Sequence, residues 1–345
     1  MTRRHLLGYL LSITPAAVSR AMRQLLRGRY LTVLCYHRIL DTGEDFPFDS
    51  DLVSASTDQF RSQLRYISRN YNVINFKSLL DHLREKDGRF PPKPLIITFD
   101  DGYIDNYTVA YPILREFNLT ATMFVTAGFM GEKRIFWWDR IAYIIKKTDK
   151  NSIEIKSPVE ISVDISRFGD RQDCARKLIK RVKEITDSEK EEVIEKLSDQ
   201  LGVTPPEGDT GYTMSWEQLR EMNSEGIEIG AHSVNHPIFS NVDGERLRRE
   251  VGESRKIIEN NIENRVITFG SPGRGIMERG ERERFTRTLR NEIKDSGYHF
   301  STLYRWGLVY ENSLDRFGIE RIGVETHDTG AVFRAKLMFP EIITY

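Results

Sequence analysis

The chain has 345 residues, 39% of them hydrophobic and 30% charged, with Lys+Arg and Asp+Glu equal at 51 each. That balance suits a folded α/β domain and excludes a disordered chain. A net charge of zero gives no global field for nucleic acid, and two cysteines, Cys35 and Cys174, exclude a disulfide framework.

Residues 1–29 carry Arg3, Arg4, Arg20, Arg23, Arg27 and Arg29 around a short apolar run from Leu6 to Leu11. The run is too short to span a bilayer. A basic N-terminal helix is expected, lying on a membrane surface or packed on the domain. The protein is then cytoplasmic or membrane-peripheral, with a cleaved signal and secretion left open.

Tyr30 to Tyr36 reads as a first strand ending at His37, with Cys35 a buried thiol. A helix from Thr57 to Arg69 opens on a Ser56-x-x-Gln59 capping signal. A short strand from Tyr71 to Ile74 precedes a helix from Phe76 to Arg84. Pro94 to Phe99 is the next strand, Asp105 to Phe117 a helix that Pro112 kinks, and Thr120 to Val125 a strand.

From about Thr148 to Gly211 the alternation stops. The second half, Arg171 to Leu201, is helical and charged, and Pro205-Pro206 closes it. We expect a helical insertion that packs as a cap. Beyond it, Ser215-x-x-Gln218 opens another helix, and Glu228 to His232 is a strand. Then come a helix from Glu245 to Asn260, a strand from Val266 to Phe269, and a helix from Glu281 to Asp295. Strands at His299–Leu303 and Ile319–Val324 precede a last helix from about Ala331. Alternating strands and helices predict a parallel sheet. The domains are then a helix over 1–29, barrel over 30–147 and 212–345, and the insertion over 148–211.

Two motifs carry the chemistry. Thr98-Phe99-Asp100-Asp101-Gly102-Tyr103 places adjacent carboxylates at the end of a buried strand. Such a pair must be ion-paired, hydrogen-bonded or bound to a metal. Neighbouring strand residues face opposite ways, so both reach one site only if the chain turns there, as Gly102 permits. His232-Ser233-Val234-Asn235-His236 follows another strand, and Pro237 argues against one continuous helix through it. One Asp and two His make an N,N,O set suited to zinc, cobalt, nickel, manganese or iron.

In these motifs and their order the chain resembles the polysaccharide deacetylases, the NodB-like carbohydrate esterase family 4. The resemblance implies a distorted (β/α) barrel of about seven strands with its chemistry at the C-terminal strand ends. It implies Asp101, His232 and His236 as ligands of a divalent metal, most simply zinc, and Asp100 as catalytic base. An Asp100 that only orients its neighbours is the alternative. The backbone N–H of Tyr103 is implied to hold the oxyanion. Leu34-Cys35-Tyr36-His37 offers the family's Leu-x-x-His at the N-terminal end. That resembles the permuted arrangement of poly-N-acetylglucosamine deacetylases and makes His37 the general acid, against the alternative of a structural His.

Phe269-Gly270-Ser271-Pro272-Gly273-Arg274-Gly275 stands where the family's third motif stands. Pro272 matches, but Ser271 replaces the Tyr and the Arg ahead of the Pro is missing. Pro272 is expected in the substrate groove, with Arg274 a candidate for the missing Arg that orients Asp100. Lacking a Lys-Ser/Thr, the stretch is no P-loop. A fourth motif of the Asp-x-x-Asp-Trp kind is absent. Phe136-Trp137-Trp138-Asp139 reads as core or lid, with Trp138 the candidate for stacking on a sugar. His327 reads as a surface residue.

The implied activity is metal-dependent removal of N-acetyl groups from amino sugars of a polysaccharide or glycolipid. The partner is an N-acetylated carbohydrate, with no nucleic acid and with peripheral membrane contact through the basic helix. Deformylation, O-deacetylation or other C–N hydrolysis uses the same groups. A non-catalytic carbohydrate-binding protein is the reading from another class. A two-carboxylate glycosidase is disfavoured, because adjacent Asp residues do not flank a glycosidic bond.

Overall fold

The computed structural model describes residues 29–43, 45–86, 88–206, 211–273 and 279–340. The expected helix over 1–29 lies outside them, apart from residue 29, and so does Arg274. Among the described residues no helix is long and apolar enough to cross a membrane.

Seven strands build the core: β1 (Tyr30–Tyr36), β2 (Pro94–Phe99), β3 (Thr122–Val125), β4 (Glu228–Ala231), β5 (Thr268–Gly270), β6 (Phe300–Trp306) and β7 (Ile319–Gly323). They pair in parallel in the order β1-β7-β6-β5-β4-β3-β2, and β2 returns to β1 through Thr32↔Leu95 to Tyr36↔Phe99. The barrel is therefore closed, as expected. Every residue of β1 to β5 is buried, which is why these strands read as continuous apolar runs. The distortion sits between β6 and β7, where the register shifts between Thr302 and Trp306.

Helices α1 (Thr57–Asn70) and α2 (Phe76–Glu85) follow the first strand, and α3 (Tyr111–Glu116) follows β2. Both Ser56-x-x-Gln59 and Ser215-x-x-Gln218 form reciprocal capping boxes. Leu79, Leu80 and Leu83 of α2 join Leu31, Val33, Ile96 and Phe124 in one cluster, so α2 stoppers the end where the strands begin. The helix expected from Asp105 does begin there, at residues 104–105, and then widens into a π stretch over Asn106–Ala110, Tyr111 N–H donating to the Asn106 carbonyl, before α3.

α4 (Trp137–Lys147) carries the aromatic run. The insertion begins as a β-hairpin, Ser152–Ile155 with Ile161–Asp164, which corrects the expectation of a purely helical cap. α5 (Arg171–Val182) and α6 (Asp187–Leu201) follow, and Thr148 Oγ1 donates to the Leu201 carbonyl at 3.0 Å to close the unit. α7 (Trp216–Ser224), α8 (Gly244–Ile262), α9 (Arg279–Asp295) and α10 (Gly330–Met338) complete the outer layer.

Candidate active site

The two carboxylates are aimed by the end of β2. The Asp100 N–H still donates to the Tyr36 carbonyl at 2.9 Å, so strand pairing runs one residue past Phe99. Asp101 then adopts φ 75 and Gly102 φ 90. This left-handed pair reverses the strand's alternation, and both side chains reach the open end of the barrel. A Cβ on Gly102 would lie 2.8 Å from Met130 Sδ, and φ 90 itself disfavours any residue with a side chain at this turn.

Asp100 is paired. Arg321, buried on β7, donates from Nη1 to Oδ1 at 2.6 Å and from Nη2 to Oδ2 at 2.8 Å. Burial works against the charged carboxylate, but the Arg321 guanidinium, with His232 adding, holds it well below the usual carboxylate range. Cys35 Sγ donates to Oδ2 at 3.6 Å, and His37 Nε2 lies 4.0 Å from the same oxygen.

Asp101 is the opposite case. Its Oδ1 is buried with no hydrogen-bond partner among the described residues. Burial, then the charges of Asp100 and Asp139, push its carboxyl well above the usual range. His232 Nε2 and His236 Nε2 each lie 3.4 Å from that orphaned oxygen.

The histidines are placed by the loop after β4. Ser233 and His236 adopt φ 67 and φ 51, and the His236 N–H donates to Ser233 Oγ at 2.9 Å. Glu250 on α8 accepts from the N–H groups of Val234 and Asn235 at 2.9 and 2.8 Å. His232 Nδ1 donates to the Gly270 carbonyl at 2.8 Å, which leaves the Nε2 lone pair facing Asp101. Burial holds the His232 imidazole down at about 4 and lowers His236 as well, so both are neutral at pH 7. The edge of His236 packs against Trp138 at 4.6 Å.

Three donor atoms thus converge on one point without a hydrogen bond between them. A lone pair on His232 facing a carboxylate oxygen is repulsive unless a proton or a cation sits between, and two imidazole nitrogens with one carboxylate oxygen are a donor set that fits a divalent ion. Gly270 backs this arrangement. A Cβ there would lie 2.7 Å from the Phe124 ring and 3.0 Å from His232 Nδ1. Gly270→Ala is therefore expected to tilt His232 and weaken cation binding roughly 10–100-fold, measured by calorimetric titration. Unchanged affinity would show that the carbonyl contact does not set the imidazole.

A cavity opens over these groups, bordered by His37, Asp100, Asp101, His232, His236 and Trp138. The insertion adds Ile179 and Lys183 to its wall, and the segment after β1 adds Asp49 and Leu52. Ser271 and Gly273 also border it, whereas Pro272 between them is buried and does not. The expected groove contact of Pro272 passes to its neighbours. Among the described residues the anchor for Asp100 is Arg321. His327 is exposed beside Glu325, as anticipated.

Behind the carboxylates lies a buried polar cluster. Tyr103 OH accepts from Trp138 Nε1 at 2.8 Å and donates to Asp139 at 3.2 Å, and Tyr212 OH donates to the same carboxylate. Arg38 covers the Tyr103 ring at 4.3 Å and donates to Asp105 at 2.9 Å. Burial pushes Asp139 up to about 6 against the pull of Arg38. The Asp49 N–H donates to Asp139 at 2.7 Å, and Gln172 of α5 donates to Asp49 at 2.5 Å, so the insertion is tied to the site. The Tyr103 side chain is core. Its backbone N–H donates to nothing among the described residues, since the bridge to Thr213 uses the groups on either side.

Comparison with known proteins bears on the family and the fold. The chain is 34% identical over 90 residues to the poly-beta-1,6-N-acetyl-D-glucosamine N-deacetylase of Staphylococcus aureus, a stretch covering 26% of this chain and 30% of that relative. The match thus spans under a third of the curated relative's length. In fold, the chain is similar to a Streptococcus pyogenes deacetylase, PplD, solved with acetate. The TM-score is 0.58 at 16% identity, covering 90% of this chain and 99% of that one. IcaB from Ammonifex degensii gives 0.54 at 18% identity, covering 92% and 97%. A family model described as polysaccharide deacetylase matches residues 87–301, the span from just before the double Asp to β6. With the Asp100-Asp101 and His232–His236 motifs both inside that span, the chain belongs to the polysaccharide deacetylase family.

Proposed function

We propose that the protein is a metal-dependent hydrolase that removes N-acetyl groups from amino sugars of a polysaccharide or glycolipid. The observation that carries this reading is the convergence of Asp101, His232 and His236 beside a separately anchored, ionised Asp100. Asp101, His232 and His236 would hold the ion. A bound divalent ion, most simply zinc, supplies Lewis acidity toward the amide carbonyl and makes water acidic enough to attack near neutral pH.

The rest is done by the chain. Asp100, kept as carboxylate by Arg321, accepts the proton of the attacking water. The free N–H of Tyr103 stabilises the oxyanion as the carbonyl becomes tetrahedral. His37, across the cavity and 4.0 Å from Asp100, delivers a proton to the departing amine, and acetate and a free amino sugar result. Trp138 and the insertion side chains form the cavity wall on which the sugar rests.

The test is acetate release from N-acetylglucosamine oligomers by chelator-stripped protein, with zinc, cobalt, nickel or manganese added back. Metal-dependent release is expected. Asp100→Asn is expected to lower it roughly 10²–10⁴-fold while stoichiometric metal binding persists. Near-full turnover in that variant would remove Asp100 from the mechanism. Formate or ammonia in place of acetate would move the reading to another C–N substrate.

A further inference from the structure

We propose that Cys35, His37 and Asp100 form a second cation site, selective for thiophilic ions such as zinc or cadmium, and that filling it switches the enzyme off. The site itself rests on geometry alone. The inhibitory consequence rests on the function proposed above.

The placement follows from β1. Residues two apart on a strand face the same way, so Cys35 and His37 share a face. The pairings Cys35↔Thr98 and Tyr36↔Phe99 then bring Asp100, one residue beyond β2, level with His37. Cys35 Sγ lies 3.6 Å and His37 Nε2 4.0 Å from Asp100 Oδ2. One donor atom from each residue falls within 4.8 Å of the others. Tetrahedral zinc, at about 2.3 Å from sulfur and about 2.0 Å from nitrogen or oxygen, puts its ligand atoms roughly 3.3–3.5 Å apart. Cys35 and Asp100 already stand near that spacing at 3.6 Å, whereas His37, at 4.0 Å from Asp100, must swing in by about 0.7 Å to complete it.

These donors are distinct from Asp101, His232 and His236, which form their own set. The two sets differ in chemistry. The N,N,O set accepts many divalent ions, whereas a thiolate selects the soft ones. A second cavity, bordered by Cys35, His37, Ser54, Trp306 and Arg321, gives the site its own approach. Arg321 uses two of the four or so lone-pair positions on Asp100 and leaves room for an ion. On binding, the Cys35 thiol gives its proton to solvent, so the ion is met by a thiolate and the Asp100 carboxylate. The nearby Arg321 charge opposes it. Occupation therefore needs an excess of ion over the first site.

The consequence is specific. Asp100 and His37, the base and the acid, both become ligands and can no longer move protons. Zinc then activates at one equivalent and inhibits in excess, while manganese, with little affinity for thiolate, shows only activation.

The experiment titrates the chelator-stripped full chain with cobalt and follows its absorption. The first equivalent is expected to give visible ligand-field bands without a thiolate-to-cobalt charge-transfer band. Further cobalt is expected to bring that band in. In Cys35→Ser, or Cys35→Ala should the serine fold poorly, the ligand-field bands of the first equivalent stay and the charge-transfer band is absent. Inhibition by excess zinc, scaled to each variant's own rate, should shift roughly 10–100-fold to higher zinc in that variant. No charge-transfer band at any excess, or a band that survives loss of Cys35, overturns the site whether or not the protein deacetylates sugars. A Cys35-dependent band with undiminished turnover overturns the inhibitory role alone.

Discussion

Arg321→Leu is expected to cripple turnover and to move the acid limb of the pH–rate profile upward. In the native chain the bidentate guanidinium overcomes burial and holds Asp100 well below its ordinary 3.8. The carboxylate is therefore available as a base at every working pH. Without Arg321 the same burial acts unopposed and raises the carboxyl, so the ionised fraction falls as pH drops into the mildly acid range. Stability moves in the same sense. A depressed carboxyl contributes stability that is present above pH 3.8 and is lost only as pH falls through its lowered folded value. The variant loses that contribution at neutral pH, and removing one partner of a buried pair costs about 3–5 kcal/mol. Arg321→Lys keeps the charge but not the fork, so an intermediate shift is expected. Turnover measured from pH 5 to 9, with melting curves in parallel, checks this. A native-like profile in Arg321→Leu would mean that another group sets the charge of Asp100.

The same residue shows where sequence reading stops. Asp100, Asp101, His232 and His236 are legible because each pair is local and stands at the end of an apolar strand. His37 is legible because Leu34-Cys35-Tyr36-His37 ends a strand in the same way. Arg321 lies 221 residues from Asp100, and only closure of β7 onto β1 brings them together. Its signal is an Arg inside Ile319–Gly323, a strand whose apolar neighbours bury it and so require a carboxylate. In the Gly-rich stretch after β5, motif likeness does not reveal that the Gly270 carbonyl orients His232. Asp139 is hidden for another reason. It stands in an aromatic run on α4, and its partners Tyr103, Tyr212 and Asp49 come from three distant segments. In the insertion, Ile153, Ile155, Ile161 and Val163 carry a hairpin alternation of only four residues per strand, which the surrounding charge outweighs.

Asp101→Asn is expected to abolish activity and tight cation binding while making the metal-free chain more stable. Burial, then the charge of Asp100, raises the Asp101 carboxyl well above 3.8. Between pH 3.8 and that raised value the folded state holds a proton that the unfolded state has released. The contribution of Asp101 to stability therefore falls as pH rises through this window. Asn has no such proton, so its pH slope there should be flatter and its neutral-pH melting temperature higher in the presence of chelator. Metal reverses the order. An ion at a thousand times its dissociation constant stabilises the wild type by about 4.1 kcal/mol, and the variant, lacking the anionic ligand, forfeits most of it. Melting curves with chelator and with saturating zinc should thus cross, the variant above the wild type in the first and below it in the second. If Asp101→Asn melts lower in chelator as well, the carboxylate supports the fold and the orphaned oxygen is not held ready for an ion. Crossing curves would show the opposite: a buried acid that costs the empty protein stability and is compensated only when a cation joins His232 and His236 around it.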